Sequence, residues 1–86
     1  MQNVREVVLD ELQNVAGLQG ITLPEVESDH RLTDELGLES LDLAFLVTAL
    51  ERRLGVDPFL RLVPITSVRT VGDLCDAYRR CLAESA

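Results

Sequence analysis

The sequence predicts an all-α fold: a small four-helix bundle of three long helices and one short third helix, with a long loop between helices one and two. The chain is 47% hydrophobic but only 3% aromatic, and Leu, Val and Ala side chains suit packed helices better than strands. Apolar residues also recur at helical spacing in three separate segments. Since 86 residues can bury one core, we expect a single domain over residues 1–86.

The first helix is predicted from about Asn3 to Ala16. Asn3, followed three residues later by Glu6, has the chemistry of an N-terminal cap, and Gly17 is the expected C-terminal cap. The apolar stripe that defines this helix consists of Val4, Val7, Val8, Leu12 and Val15.

The segment from Gly17 to Leu38 loses this period, and we interpret it as a long loop. A structureless loop of such length is unusual in a compact domain. We therefore expect its apolar residues to hold it against the helices; they are Leu18, Ile21, Leu23, Val26, Leu32 and Leu36.

The second helix is predicted to run up to Leu54 and to end at Gly55. Its residues Leu43, Leu46, Val47, Leu50 and Leu54 form one apolar stripe. Asp57 and Pro58 then have the chemistry of a helix start, but Pro64 limits this short helix to about Pro58 to Leu62.

The final helix is predicted from about Thr70 to Ala83, with Thr70 and Asp73 as a capping pair. Its stripe consists of Val71, Leu74, Cys75, Tyr78 and Leu82. Cys75 and Cys81 lie six positions apart in this helix, so their side chains point in different directions and cannot form a disulfide. We expect free thiols that are buried or half-buried.

The charge of the chain excludes some classes of partner. A net charge of −7 argues against nucleic acid, since binding to a polyanion depends on Lys and Arg, and it favours a partner with a basic docking surface. No apolar run is long enough to span a membrane, and the first residues lack the apolar block of a signal peptide, so we expect a cytoplasmic protein. No metal-binding pattern is predicted.

The segment Glu35-Leu36-Gly37-Leu38-Glu39-Ser40-Leu41-Asp42 is the most informative part of the chain. It places a hydroxyl at the start of the second helix, where backbone N–H groups lack partners and the helix dipole favours negative charge. A phosphate attached to Ser40 would be stabilised there. Taken alone, however, a serine before an apolar run is usually only an N-cap.

Several features together resemble the carrier protein family, the acyl and peptidyl carriers of fatty acid, polyketide and nonribosomal peptide synthesis. They are the leader Leu36-Gly37-Leu38, Ser40 at the helix start, Leu41-Asp42 behind it, Ala49-Leu50-Glu51 before Leu54-Gly55-Val56, and the spacing to Thr70-Val71. The resemblance covers almost the full length. Family members also have a comparably long first loop.

The resemblance implies that Ser40 carries 4′-phosphopantetheine derived from coenzyme A, and that biosynthetic intermediates are held as thioesters on this arm. The implied partners are a phosphopantetheinyl transferase and an acyltransferase, ketosynthase or adenylating enzyme. We expect the chain itself to be a monomer. By the same resemblance, Leu41, Asp42 and Glu51 should contact partner enzymes, and we expect Glu39 and Phe45 to belong to the same partner-binding surface.

The sequence departs from the family on the second helix, where many carriers expose acidic residues. Here Phe45 introduces a ring and Arg52-Arg53 add positive charge. Phe45 is either half-buried against another helix or an exposed apolar anchor for a partner. Asp42 and Glu51 also have a simpler interpretation, as a helix-stabilising charge and a solvated charge.

No group near Ser40 is predicted to activate it. The one histidine, His30, lies in the loop with no evident triad order, so we expect no intrinsic enzymatic activity. Among carriers, an acyl carrier for fatty acid or polyketide-type intermediates is favoured by the acidic charge and by Gly37-Leu38-Glu39-Ser40-Leu41. An aminoacyl or peptidyl carrier of a nonribosomal peptide-type pathway is the alternative, although the paired glycines common in its leader are absent.

Two other classes of protein are alternatives to a carrier. A small helical interaction module without a prosthetic group would use Ser40 only as a cap. A helix-turn-helix DNA-binding protein fits poorly, because its reading helix needs basic residues and the second helix opens with Glu39 and Asp42.

Overall fold

The computed structural model describes residues 3–59 and 67–85. Over these ranges the chain forms three α-helices: α1 (Val4–Leu18), α2 (Ser40–Leu54) and α3 (Val71–Ser85). The all-helical prediction is confirmed. The short helix predicted from Pro58 to Leu62 lies mostly outside the described residues, of which Pro58 and Phe59 form a turn, so a fourth helix is not confirmed.

Helix α1 begins where the sequence predicts and ends two residues later. The Asn3 side-chain oxygen accepts a hydrogen bond from the Glu6 N–H at 3.3 Å, which satisfies one of the free amides of the first turn. At the other end, Gly20 adopts a positive φ of 70°, and the Ile21 N–H donates to the Ala16 carbonyl at 2.8 Å. This is a Schellman motif, so the prediction of Gly17 as the cap is wrong and the capping glycine is Gly20.

Helix α2 ends at the predicted glycine. Gly55 adopts a left-handed conformation with φ 75°, and its N–H donates to the Glu51 carbonyl. A side chain there would be strained, because L-residues other than glycine rarely adopt positive φ. Gly55 therefore stops the helix as the sequence predicts.

Helix α3 begins with the predicted capping pair. The Thr70 hydroxyl accepts from the Asp73 N–H, and the Asp73 carboxylate accepts from the Thr70 N–H, both at 3.1 Å. A further bond from the Arg69 N–H, with those from Thr70, holds the pKa of Asp73 below its ordinary value of 3.8.

The loop between α1 and α2 is fixed by hydrogen bonds to the start of α3. The Leu32 N–H donates to the Arg69 carbonyl at 2.9 Å, the Val71 N–H donates to the His30 carbonyl at 3.0 Å, and the Gly72 N–H donates to the Ser28 carbonyl at 2.8 Å. Arg31 and Thr70 form an isolated antiparallel bridge. The loop is therefore ordered without being helical, as its apolar residues predicted.

Those apolar residues pack as predicted, with one exception. Leu32 and Leu36 are buried, and Ile21, Leu23 and Val26 are partly buried against the core. Leu18 is 80% exposed, so the prediction that it packs inward is wrong. Because α1 continues to Leu18, this side chain lies on the last turn, past the core.

The three predicted stripes meet in one core. The buried members from the helices are Val4, Val7, Val8, Leu12, Val15, Leu46, Leu50, Val71, Leu74, Cys75 and Tyr78. Tyr78 is the largest fully buried side chain, and its hydroxyl donates to the Val47 carbonyl at 3.3 Å. Neither cysteine forms a disulfide, and Cys75 is buried and Cys81 half-buried, as predicted. No helix in the described part of the chain is long and apolar enough to cross a membrane.

Candidate functional site

The segment that leads into α2 is anchored on both sides of a glycine. Leu36 and Leu38 are buried in the core, and Gly37 between them adopts a positive φ of 77°. The turn is closed by bonds from the Leu36 N–H to the Arg31 carbonyl and from the Leu38 N–H to the Leu32 carbonyl, both at 3.0 Å. The chain two residues before Ser40 is therefore held in a fixed position.

Ser40 is exposed and is the first residue of α2. The N-cap is Glu39, with extended backbone, so the alternative in which Ser40 acts as the N-cap is not what the structure contains. Within residues 3–59 and 67–85, the Ser40 hydroxyl has no hydrogen-bonding partner. The hydroxyl is available to an incoming enzyme.

Asp42 stabilises the start of α2 through a hydrogen bond to the backbone. Its carboxylate accepts the Glu39 N–H at 2.9 Å, and the residue is only 5% exposed. A carboxylate in the first turn also interacts favourably with the helix dipole. Asp42 is one of the five residues expected to bind partners, but its side chain is turned inward. The geometry therefore supports its interpretation as a helix-stabilising charge.

The other four residues in that group lie on the surface. Glu39 and Glu51 are exposed, Leu41 is 63% exposed and Phe45 is 50% exposed. Leu41 and Phe45 are four residues apart and share one face of α2. The open question about Phe45 is therefore decided in favour of exposure. We call Leu41 and Phe45 the apolar patch; it lies directly beside Ser40.

The surroundings of Ser40 bring together an exposed hydroxyl and the free amides of a helix N-terminus. This arrangement suits a phosphodiester, because the first-turn amides of a helix have no partners within the helix and the helix dipole favours negative charge. The donors present therefore fit a phosphate-linked group on Ser40.

His30, the one histidine of the chain, takes part in the structure of the loop. The His30 ring nitrogen Nδ1 accepts the Glu27 N–H at 2.9 Å, so it stabilises a turn of the loop. No cluster of three or more potential metal ligands occurs in the described segments.

Two features of the site were not predicted from the sequence. The burial of Leu38 and the positive φ of Gly37 together fix the position of Ser40, whereas the sequence indicated only a leader motif. A glycine between two leucines in a loop is the signal from which this turn could have been found.

Comparison with known proteins gives a family match and several similar proteins. Residues 6–78 match the family model described as the phosphopantetheine attachment site. An acyl carrier protein from Solidesulfovibrio magneticus is 36% identical over 56 residues, which cover 65% of this chain and 63% of that protein. The match thus spans less than two thirds of this relative.

The solution structure of MacpD, an acyl carrier protein from Pseudomonas fluorescens involved in mupirocin biosynthesis, has the same fold. Its TM-score is 0.76 at 47% identity, and the match covers 87% of this chain and 67% of MacpD. The chain belongs to the phosphopantetheine attachment site family, which confirms the resemblance found in the sequence. Membership implies 4′-phosphopantetheine as the covalently attached prosthetic group.

Proposed function

We propose that the chain is an acyl carrier protein that holds biosynthetic intermediates as thioesters on a 4′-phosphopantetheine arm attached to Ser40, for fatty acid or polyketide-type synthesis. The observation that carries the proposal is the exposed Ser40 at the first position of α2 in a member of this family. The relative from mupirocin biosynthesis supports a biosynthetic assembly line.

The residues of the chain position and stabilise the attachment point. Leu38 and Gly37 fix the turn before the helix, and Asp42 fixes its first residues. The dipole and free amides of the first turn favour the phosphodiester by roughly 0.3–1 kcal/mol at an exposed site, so the transferase must supply the catalysis. When bound, the group supplies a terminal thiol that carries acyl groups as thioesters. In this proposal the chain is a substrate of other enzymes and has no activity of its own.

Partner enzymes would dock on the surface around Ser40. The apolar patch, with Glu39 and Glu51 as exposed charges, offers both an apolar contact and sites for a basic surface. The partners we propose are a phosphopantetheinyl transferase and an acyltransferase, ketosynthase or adenylating enzyme. The location we propose is the cytoplasm.

The test is an intact mass measurement before and after incubation with coenzyme A, magnesium and a broad-specificity phosphopantetheinyl transferase. We expect wild-type protein to gain the mass of one phosphopantetheine group and Ser40→Ala to gain none. Ser28→Ala is the matched control, since Ser28 is also an exposed serine and should leave the modification unchanged.

A wild-type mass that stays constant with a transferase shown to be active would contradict the proposal, as would modification of Ser40→Ala. If the wild-type protein is modified, a second experiment distinguishes the two kinds of carrier. Loading by acyl-transferring enzymes would indicate an acyl carrier, and loading by adenylating enzymes would indicate an aminoacyl or peptidyl carrier.

A further inference from the structure

A pocket opens close to Ser40 between the loop, α2 and the segment that leads into α3. Its volume is about 310 Å³, at the lower end of the range for small-molecule sites. Leu43 of α2 lines the pocket and lies three residues beyond Ser40, so it is on a neighbouring part of the same helix surface, about 4.5 Å further along the axis. A group attached to Ser40 through a flexible arm is therefore within reach of this pocket.

The floor of the pocket is apolar. Leu32 is buried, and Leu43 and Val68 are partly buried and packed against the core cluster. Hydrocarbon placed here would leave water and contact these side chains, which favours binding. The floor accounts for binding of an acyl chain but not for any choice between acyl chains.

The rim carries two guanidinium groups. Arg31 and Arg69 both line the pocket, and the hydrogen bond from the Leu32 N–H to the Arg69 carbonyl holds their backbones close together. The chain has only 8 basic residues against 15 acidic ones. Asp34 also lines the pocket, so the lining has two positive side chains and one negative side chain. The local charge is therefore positive on an acidic protein.

These guanidinium groups form at most weak interactions with other described residues. Arg31 pairs with Asp34 at 3.3 Å, with both side chains more than half exposed, and such surface pairs contribute little. Across the described residues, the Arg69 guanidinium forms no hydrogen bond or ion pair, and it interacts with Asp73 only through longer-range attraction. Arg69 can therefore bind an anionic oxygen group without losing a bond to any described residue.

We propose that this pocket receives the acyl group carried at Ser40, and that Arg69, assisted by Arg31, favours acyl groups whose far end bears a carboxylate over hydrocarbon of the same length. The inference rests on the proposed function and extends it by naming a class of cargo. A guanidinium forms charge-assisted, often bidentate, hydrogen bonds with a carboxylate. The phosphodiester of the arm presents similar anionic oxygens, so the experiment must separate the two sources.

The test compares two cargoes of four carbons that differ in the terminal carboxylate. Apo protein is loaded by the transferase from hydrolysis-stable amide analogues of butyryl- and succinyl-coenzyme A, and loading is verified by intact mass. The backbone amide chemical shifts of the apo, arm-only, butyryl and succinyl forms are then compared. We expect larger changes at Thr33, Val68 and Arg69 with the succinyl group than with the butyryl group.

Arg69→Gln should reduce the succinyl shifts to the butyryl level, and Arg31→Gln should reduce them in part. Arg52→Gln is the matched control, since Arg52 is exposed on α2 and does not line the pocket; it should preserve the difference.

Equal shifts for the two cargoes, or a succinyl effect that Arg69→Gln leaves intact, would overturn the inference while the proposed function stands. An Arg69 amide shift in the arm-only form equal to that of the succinyl form would show that the guanidinium binds the phosphodiester of the arm. That result would also overturn the inference. Failure of the transferase to load any of the coenzyme A forms would overturn the proposed function, and this inference with it.

Discussion

Ser40, Leu41 and Asp42 are consecutive, yet their side chains have different surroundings. Ser40 and Leu41 face solvent, whereas Asp42 is buried and accepts the N–H of Glu39. This follows from the first turn of a helix, in which successive side chains point about 100° apart. Stabilising the helix start and presenting the hydroxyl are therefore tasks of different residues.

This separation predicts different stability effects for Asp42→Ala and Ser40→Ala. Asp42→Ala should lower the free energy of unfolding by about 1 kcal/mol, because the Glu39 N–H loses its acceptor. Ser40→Ala should change it by no more than roughly 0.5 kcal/mol, as expected for a surface substitution. Urea unfolding followed by circular dichroism measures both. A loss for Ser40→Ala as large as that for Asp42→Ala would restore the alternative in which Ser40 is the cap.

The exposure of Phe45 leads to a prediction about docking. If a partner covers the exposed half of this ring, Phe45→Ala should lower kcat/KM for modification by the transferase about fivefold, which corresponds to ~1 kcal/mol of lost apolar burial. Leu18→Ala is the control, since Leu18 is an exposed apolar side chain on α1.

The salt dependence of the same reaction tests the nature of the contact. An apolar contact is little affected by ionic strength, whereas attraction between exposed charges is screened. We therefore expect only a modest decrease in kcat/KM with added salt. A steep decrease, together with no effect of Phe45→Ala, would show that docking depends on Glu39 and Glu51 instead.

At the scale of the elements, two glycines offer opposite outcomes for the same substitution. Gly37→Ala should reduce the free energy of unfolding by about 1–2 kcal/mol, because the φ of 77° is strained for a residue with a Cβ. Gly17→Ala should increase it by about 0.5–1 kcal/mol, because Gly17 lies inside α1 and an added Cβ meets nothing within 4 Å. Thermal or urea unfolding of the two variants checks both signs. A stabilised Gly37→Ala would contradict the described turn.

At the scale of the whole molecule, Tyr78 connects α3 to both α2 and the turn at Phe59. Its hydroxyl donates to the Val47 carbonyl, and its ring meets that of Phe59 edge to face at 5.9 Å between centroids. Burial raises the pKa of the Tyr78 phenol far above its ordinary value of 10.0. The folded state therefore keeps the phenol protonated over a wider range of pH than the unfolded state does.

This difference fixes the sign of an alkaline effect. Below pH 10 the hydrogen bond is intact, and Tyr78→Phe should lower the free energy of unfolding by about 1 kcal/mol. Above pH 10 the unfolded chain can release the proton and the folded chain cannot, so wild type should lose stability as the pH rises and the gap between the two proteins should narrow. Since the chain has one tyrosine, tyrosinate absorbance reports this group alone. Ionisation near pH 10 without unfolding would contradict the buried position.

Much of the fold, but less of the site, follows from the sequence. The apolar stripes place Leu12, Leu46 and Tyr78 in the core, because helical periodicity alone decides which side chains face inward. The prediction for the end of α1 is wrong, since both Gly17 and Gly20 can cap a helix and only the bond from the Ile21 N–H to the Ala16 carbonyl decides between them.

The inward position of Asp42 likewise depends on where the helix begins. An acidic residue in a first turn is favourable whether it faces solvent or bonds to the backbone, so its residue type leaves both orientations open. The pocket next to Ser40 depends on the contact of Leu32 with Arg69, residues far apart in the chain. Local patterns do not contain information of this kind.

The bridge between Arg31 and Thr70 also affects the order of events during refolding. Its two residues are roughly 40 positions apart, so closing it costs chain entropy that the local turns of α1 do not. The loop between α1 and α2 is therefore completed only when α3 has docked. In pulse-labelling hydrogen exchange, we expect the amides of Leu32 and Gly72 to gain protection after those inside α1. We also expect a nascent chain to be modified at Ser40 only after α3 has been synthesised.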